Sequence, residues 1–277
     1  MLTIKFDLSQ FESVELISIA DVHIGNPLCQ EHILKEIVDY VMEEPDDPKM
    51  ARICLLNGDL TESVTRQSKG NLFELTMTPS VQVATMIKYL QPLAETSKKY
   101  PQGKILSYCA GNHDEGRYKD TGISASESIA CALGLQERYS TDGCYSFISL
   151  ARIGDTAHPT YATVYNQHGS GGGQTMGGKV NRINRIGAGV VADVITMAHV
   201  HSPVTFKEDI FIPQQRSTLA QRTITYVING AFLNYGDYAQ RNGYKPSTIA
   251  IPKIYIKQGR EFCKGKDDRY IYAEVLL

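Results

Sequence analysis

The sequence predicts an α/β fold in which two mixed β-sheets pack face to face with helices on both outer sides, a four-layer α/β/β/α sandwich. Two observations carry this expectation. From residue 14 to residue 133, apolar strand-like runs alternate with amphipathic stretches, a βαβαβα order that favours a parallel sheet. After Gly143, strand-like runs follow one another with few helices between them, as a second sheet requires. A third observation bears on function: five of the apolar runs end in a tight knot of Asp, Asn or His.

Taken in order, residues 14–20 are rich in branched side chains and form the first strand expected, ending at Asp21. Apolar residues recur at helical spacing over 31–44, and Pro45 and Pro48 end that helix. Residues 52–57 are a second buried strand. Residues 62–78 are polar with a few apolar residues embedded, and are expected to loop over the site. Pro79 suits a helix start, and 81–98 is amphipathic. Residues 105–109 are a third strand, and 124–133 a helix stopped by Gly134. Residues 145–150 and 161–165 read as an antiparallel pair, 177–191 as a helix and 194–197 as another strand. From 204 onward strands are expected at 222–228, 248–251, 253–257 and 270–275. Residues 1–277 thus read as one domain whose β-rich part, about 204–277, completes the second sheet.

The 277 residues, 42% of them hydrophobic, suffice for a sizeable core. A net charge of −2 leaves no global electrostatic footprint for nucleic acid, although a local basic groove is compatible with it. Six Cys are scattered singly without CxxC spacing. Cys54 and Cys109 lie inside apolar runs as small hydrophobes, and reduced thiols point to a cytoplasmic setting. The N-terminus lacks the long apolar centre of a signal peptide, and no stretch is long enough to span a bilayer. No membrane partner is expected, and oligomeric state is not legible.

The polar knots are Asp21-Val22-His23, Asn57-Gly58-Asp59, Gly111-Asn112-His113-Asp114, Gln167-His168-Gly169 and His199-Val200-His201. Ligand sites in open α/β sheets lie just past the C-terminal ends of strands, so these loops are expected to converge. Imidazole and carboxylate oxygen suit Mn first, with Fe, Zn, Co and Ni as alternatives. Two divalent ions suit phosphoryl chemistry, because each can hold one oxygen of an in-line displacement. Asp59 is the natural bridging carboxylate, since Gly58 permits close backbone approach. A metal-bridging water loses its proton readily and is the expected nucleophile. His32 and His158 stand alone and are read as structural.

In this order, Asp-x-His, Gly-Asp, Gly-Asn-His-Asp, His and His-x-His resemble the calcineurin-like metallophosphoesterase superfamily over about residues 17–202. The resemblance implies that Asp21, His23, Asp59 and His201 hold one metal, and that Asp59, Asn112, His168 and His199 hold the other. It implies His113 as the catalytic histidine, protonating the leaving oxygen. An acid three positions after the bridging Asp orients that histidine in the phosphatase branch; here it is Glu62, with Asp114 as the rival. Ala198 stands where the family commonly has Gly. Asp21-Val22-His23-Ile24-Gly25 resembles the first motif of the family's DNA-repair nucleases, and the glycines after His168 resemble small phosphoesterases of bacteria and phages.

Three further residues are candidates for substrate contact. Arg117 and Tyr118 follow the catalytic knot, and Lys179 opens a helix that also carries Arg182 and Arg185 after a glycine-rich run. That run either offers N–H groups to phosphate or is a plain connection beside a solvated basic face. The Asn234–Tyr238 turn is placed to wall the cleft. The expected activity is hydrolysis of a phosphodiester in nucleotides or nucleic acid. The alternatives are a phosphomonoesterase, including a protein phosphatase, and a non-catalytic metal-binding scaffold.

Overall fold

The computed structural model describes residues 1–66, 71–152, 155–171, 175–214, 218–241, 243–263 and 266–276. The elements are β1 (Leu2–Leu8), β2 (Ser13–Ile19), α1 (Glu31–Met42), β3 (Met50–Asn57), α2 (Pro79–Ala94), β4 (Ile105–Cys109), α3 (Asn112–Thr121), α4 (Ala125–Ala132), β5 (Tyr139–Ser140), β6 (Cys144–Arg152), β7 (Asp155–Gln167), α5 (Met176–Gly187), β8 (Val194–Met197), β9 (Val204–Gln214), β10 (Thr218–Ile228), α6 (Asp237–Arg241), β11 (Lys253–Cys263) and β12 (Lys266–Leu276).

They build two mixed six-stranded sheets, ordered β12-β11-β2-β3-β4-β5 and β1-β6-β7-β8-β10-β9. The expected βαβ units are present: β2, β3 and β4 run parallel. The expected pair at 145–150 and 161–165 is antiparallel, within the longer β6 and β7. Strand residues of the first sheet alternate between two apolar environments, as the pleat dictates. Leu16, Ile53 and Leu55 face Ile148, Val164 and Val227 of the other sheet. Ile17, Cys54 and Leu56 face Leu34 and Val38 of α1, Met86 and Leu90 of α2 and Ile129 of α4. Ile183 of α5 packs on Ile195 and Tyr226 outside the second sheet. These are the four layers expected. Burial on both faces explains why the strands read as unbroken apolar runs. No helix among the described residues is long and apolar enough to cross a membrane.

Several expectations are corrected. The segment after 204 does not serve the second sheet alone: β9 and β10 join it, whereas β11 and β12 extend the first sheet beside β2. Residues 248–251 are not a strand. Pro246 and Pro252, which lack ladder donors, flank them, and the Ala250 carbonyl sits against Gly230, where a Cβ would come within 2.5 Å. α2 ends at Ala94 rather than near 98, because the Leu93 carbonyl accepts from Lys104 N–H at 2.7 Å instead of from a further turn. β1 and α3 were not expected. α3 is polar on all sides and offers no apolar stripe to read; it is fixed at its ends, where Asp114 Oδ2 accepts from Gly111 N–H at 3.2 Å and Gly122 turns left-handed at φ 70°.

One buried network ties the first sheet to α1. Glu15 on β2 accepts from Arg52 Nε (2.5 Å) and from Tyr40 Oη (2.6 Å). Burial pushes its carboxyl up, but hydrogen bonds from Tyr40, Tyr255 and Arg52 outweigh this and hold it below its ordinary 4.5. Glu15→Ala strands a buried guanidinium and should cost about 3–5 kcal/mol at pH 7. The folded-state pKa is depressed, so this stabilisation is present above the unfolded value and is lost as pH falls through the folded one. The gap between the denaturation midpoints of wild type and variant should therefore narrow as the pH falls below about 4.

Candidate metal centre

The five polar knots follow β2, β3, β4, β7 and β8, so both sheets deliver ligand candidates to one edge. Among the described residues, six non-glycine residues have positive φ: Asp21 (50°), His23 (52°), Asp59 (49°), Ser63 (49°), His199 (71°) and His201 (48°). Five of these are candidate ligands. Left-handed backbone costs an L-residue about 1–2 kcal/mol and persists where surrounding bonds impose it. Here Asp21 N–H donates to the Gly58 carbonyl and His23 N–H to the Asp59 carbonyl, each at 3.0 Å. The side chains of all five belong to the groups that meet at the shared edge.

Two aspartates divide their oxygens the same way. Asp21 Oδ2 accepts from His199 N–H at 3.0 Å, and Asp59 Oδ1 accepts from His113 N–H at 3.0 Å. The second oxygen of each faces imidazoles. Asp21 Oδ1 lies 3.3 Å from His201 Nε2, 3.9 Å from His23 Nε2 and 4.0 Å from His168 Nε2, and makes no hydrogen bond. Asp59 Oδ2 lies 3.1 Å from His168 Nε2. His168 Nδ1 donates to the Asn57 carbonyl at 2.7 Å, which aims its Nε2 at the centre. Burial pushes the His168 imidazole down, but Asp59 and Asp21 outweigh it and push it up to about 10.

Asn112 completes the second group, with Oδ1 at 3.1 Å from His168 Nε2 and 2.5 Å from His199 Nδ1. Turned over, its NH2 would donate to those two nitrogens and to Asp59 Oδ2. The oxygen-inward orientation suits a cation; the nitrogen-inward one suits bare lone pairs. Two glycines make room. A Cβ on Gly111 would lie 1.9 Å from Asp59 Oδ1, and one on Gly58 would lie 2.5 Å from His168 Nδ1.

The donor set fits divalent cations. Within Asp21, His23 and His201, and within Asp59, His168 and His199, the ligand atoms lie within 4.8 Å of one another. The first group also sets His23 Nε2 against His201 Nε2 at 3.3 Å, two lone-pair nitrogens with one proton at most to share. Neither group mixes the two ligand sets that the motif resemblance implies, and Asp59, expected in both, stands with the second group. A third group, His23, Glu62 and His113, meets the same criterion.

His113 Nδ1 donates to the backbone carbonyl of Glu62 at 2.6 Å. Neither rival carboxylate holds that ring: Glu62 Oε2 lies 3.0 Å from His23 Nδ1, and Asp114 caps α3. Burial pushes the Asp114 carboxyl up to about 7, with Asp59 adding to it.

The centre opens into a cleft of about 1250 Å³. Arg117 and Tyr118 do not line it. Helical rotation along α3 leaves Asn112, His113 and Gly116 on the cleft side, while Arg117 is half-buried and Tyr118 is exposed. Lys179 does line the cleft and donates to Ser202 Oγ, next to His201; burial pushes its ammonium down, with no carboxylate to offset it. Asn71, Glu74 and Leu75 form part of the wall, as expected of a loop over the site, and Asn234, Tyr235 and Gly236 form another part. Residues 172–174 of the glycine run, and the side chains of His158, Asp237 and Tyr238, lie outside the described ones.

Gln82 was missed in the sequence. It is buried on α2 among Met86, Leu90 and Leu93, accepts from Ser63 N–H and donates to the Met77 carbonyl, each at 3.0 Å. An amide in an apolar helix stripe was the available signal.

No protein-family model matches the sequence, and no curated protein matches it. Solved structures similar to it include a conserved protein of Streptococcus pneumoniae described as a predicted phosphoesterase, with TM-score 0.36, 10% identity and coverage of 95% of this chain and 98% of that one. Vps29 of Chaetomium thermophilum is similar with TM-score 0.34, 10% identity and coverage of 95% and 97%. At these scores the likeness adds nothing to the side-chain geometry.

Proposed function

We propose that this chain is a divalent-metal-dependent phosphoester hydrolase of the calcineurin-like type, acting on a phosphodiester in nucleotides or nucleic acid. One observation carries the proposal. Seven side chains from five loops of two sheets bring nitrogens and oxygens that can bind a cation to one place, and five of them stand on left-handed backbone. Asp21, His23, Asp59 and His201 would hold one cation, and Asp59, Asn112, His168 and His199 a second, with Asp59 shared. Mn is the first expectation. When bound, such a pair supplies Lewis-acid charge and lowers the pKa of water.

The chain's own residues do the rest. His113 keeps its Nδ1 proton on the Glu62 carbonyl, so Nε2 is the nitrogen that carries a proton to the leaving oxygen. Lys179 offers an ammonium without a carboxylate to an anionic oxygen of the substrate. The preference for a diester is supported by the cleft, which exceeds the roughly 300–1,000 Å³ typical of small-molecule sites. Its lining also combines Lys179, Arg241 and Lys245 with Tyr235 and Tyr244; basic and aromatic side chains together suit nucleic-acid strands.

The test is hydrolysis with Mn added, comparing bis-p-nitrophenyl phosphate with p-nitrophenyl phosphate. Faster cleavage of the diester is expected. Preference for the monoester would favour the phosphomonoesterase reading. A metal-loaded protein inert on both, and on a panel of cyclic nucleotides, DNA, RNA and phosphopeptides, would leave only a metal-binding scaffold.

A further inference from the structure

Glu62 meets two imidazoles with two different groups. Its backbone carbonyl accepts from His113 Nδ1 at 2.6 Å, while its carboxylate Oε2 stands 3.0 Å from His23 Nδ1. Both side chains are buried, at 3% and 9% exposure. Burial pushes the Glu62 carboxyl up, but His23, together with His113 and Asn26, outweighs it and holds it below its ordinary range. Residue 62 is itself held firmly: its N–H donates to the Ile24 carbonyl at 3.0 Å, and the next residue, Ser63, is pinned by Gln82 at 3.0 Å.

Resting on the metal-centre reading above, we propose that Glu62 is a positioning residue for the cation site of Asp21, His23 and His201. It acts through its carboxylate on His23, whereas the hydrogen bond from His113 goes to the Glu62 main chain. This departs from the role that the motif resemblance implies, in which the acid at this position serves the catalytic histidine. The physical reason is tautomer choice. A carboxylate beside Nδ1 keeps the His23 proton there and leaves the Nε2 lone pair for the cation site, 3.9 Å from Asp21 Oδ1 and 3.3 Å from His201 Nε2. The two atoms stand at 3.0 Å, off line for a hydrogen bond, so neither completes one. No residue other than Glu62 is placed to do this at His23 Nδ1 among the contacts described.

The division of labour predicts that side chain and main chain can be separated by mutation. Wild type, Glu62→Ala and Glu62→Gln are titrated with Mn by calorimetry, metal content is measured after dialysis, and the visible spectrum of the Co-loaded proteins is recorded. Wild type should bind two equivalents. Glu62→Ala should weaken one equivalent by about 10–100-fold, the usual cost of losing an outer-shell partner, and leave the other unchanged. Glu62→Gln should recover part of that loss, because its amide oxygen can take the same place beside Nδ1, and it serves as the isosteric variant if the alanine form does not fold. The Co spectrum should change in intensity for one site only.

Two results overturn the proposal. One is Glu62→Ala binding both equivalents as tightly as wild type does, which would leave the carboxylate without a role at His23. The other is three equivalents in wild type falling to two in Glu62→Ala, which would make His23, Glu62 and His113 a cation site of their own. Wild type binding no divalent cation at all is a different failure, because it removes the metal-centre reading together with everything built on it.

Discussion

Asp59→Asn should strip the centre of its shared charge and lower kcat/KM by well over about 100-fold, beyond what the loss of an outer-shell partner costs. Asp59 stands with His168 and His199 in one cation group and is the carboxylate proposed to serve both. Its Oδ1 is committed to His113 N–H at 3.0 Å, so only Oδ2, 3.1 Å from His168 Nε2, is free to serve a cation. In the asparagine variant the acceptor Oδ1 can be kept, and NH2 then replaces the oxygen that faces His168. That exchanges an anionic lone pair for a donor pointing into the centre. The backbone should tolerate it, because φ at 59 is 49° and Asn is among the residues that visit the left-handed region most readily. The expected result is a folded protein with a near-wild-type melting curve once metal is removed from both forms. Its metal content after dialysis should fall below that of wild type. A variant that retains two equivalents of metal and full turnover would show that Asp59 is structural.

His113→Ala should separate metal binding from chemistry. Positioned general acids contribute about 10²–10⁴-fold, and a loss of kcat in that range is expected with little change in KM. Metal content should hold, because what Asp59 takes from residue 113 is its backbone N–H, which alanine keeps. The leaving group sharpens the test. An alkoxide or a sugar hydroxyl needs a proton to depart, whereas p-nitrophenolate largely does not. The variant should therefore be most impaired on a dinucleotide and least impaired on bis-p-nitrophenyl phosphate. Equal losses on both substrates would assign His113 to charge stabilisation rather than to proton delivery, and full activity on both would place the acid elsewhere.

Much of this was open to reading in the chain, for identifiable reasons. β2, β3 and β4 are buried on both faces, and burial on both faces leaves unbroken apolar runs that periodicity finds easily. The seven candidate ligands sit immediately after strands, where the α/β rule places binding loops, so their convergence followed from their positions. β1 and α3 escaped because neither carries a full signal. β1 alternates exposed and buried residues at the edge of its sheet, and α3 buries only Asp114 within its span. Residues 248–251 misled in the opposite direction: their composition suits a strand, but flanking prolines and the close backbone of Gly230 settle the matter.

By itself the sequence determined residue type and order: which side chains can bind cations, how they are spaced along alternating elements, and that two layers of strands lie between helices. These are local properties, set by composition and by the periods 2 and 3.6. Only the tertiary structure decided which atom of each residue does what. That Asp21 and Asp59 each give one oxygen to a backbone N–H and keep the other, that Glu62 offers its carbonyl to His113 and its carboxylate to His23, and that Arg117 turns away from the cleft while Lys179 lines it all depend on partners many residues distant. A side chain's identity is written at one position. The direction of its lone pairs is set by the φ of its backbone and by neighbours that only folding brings together.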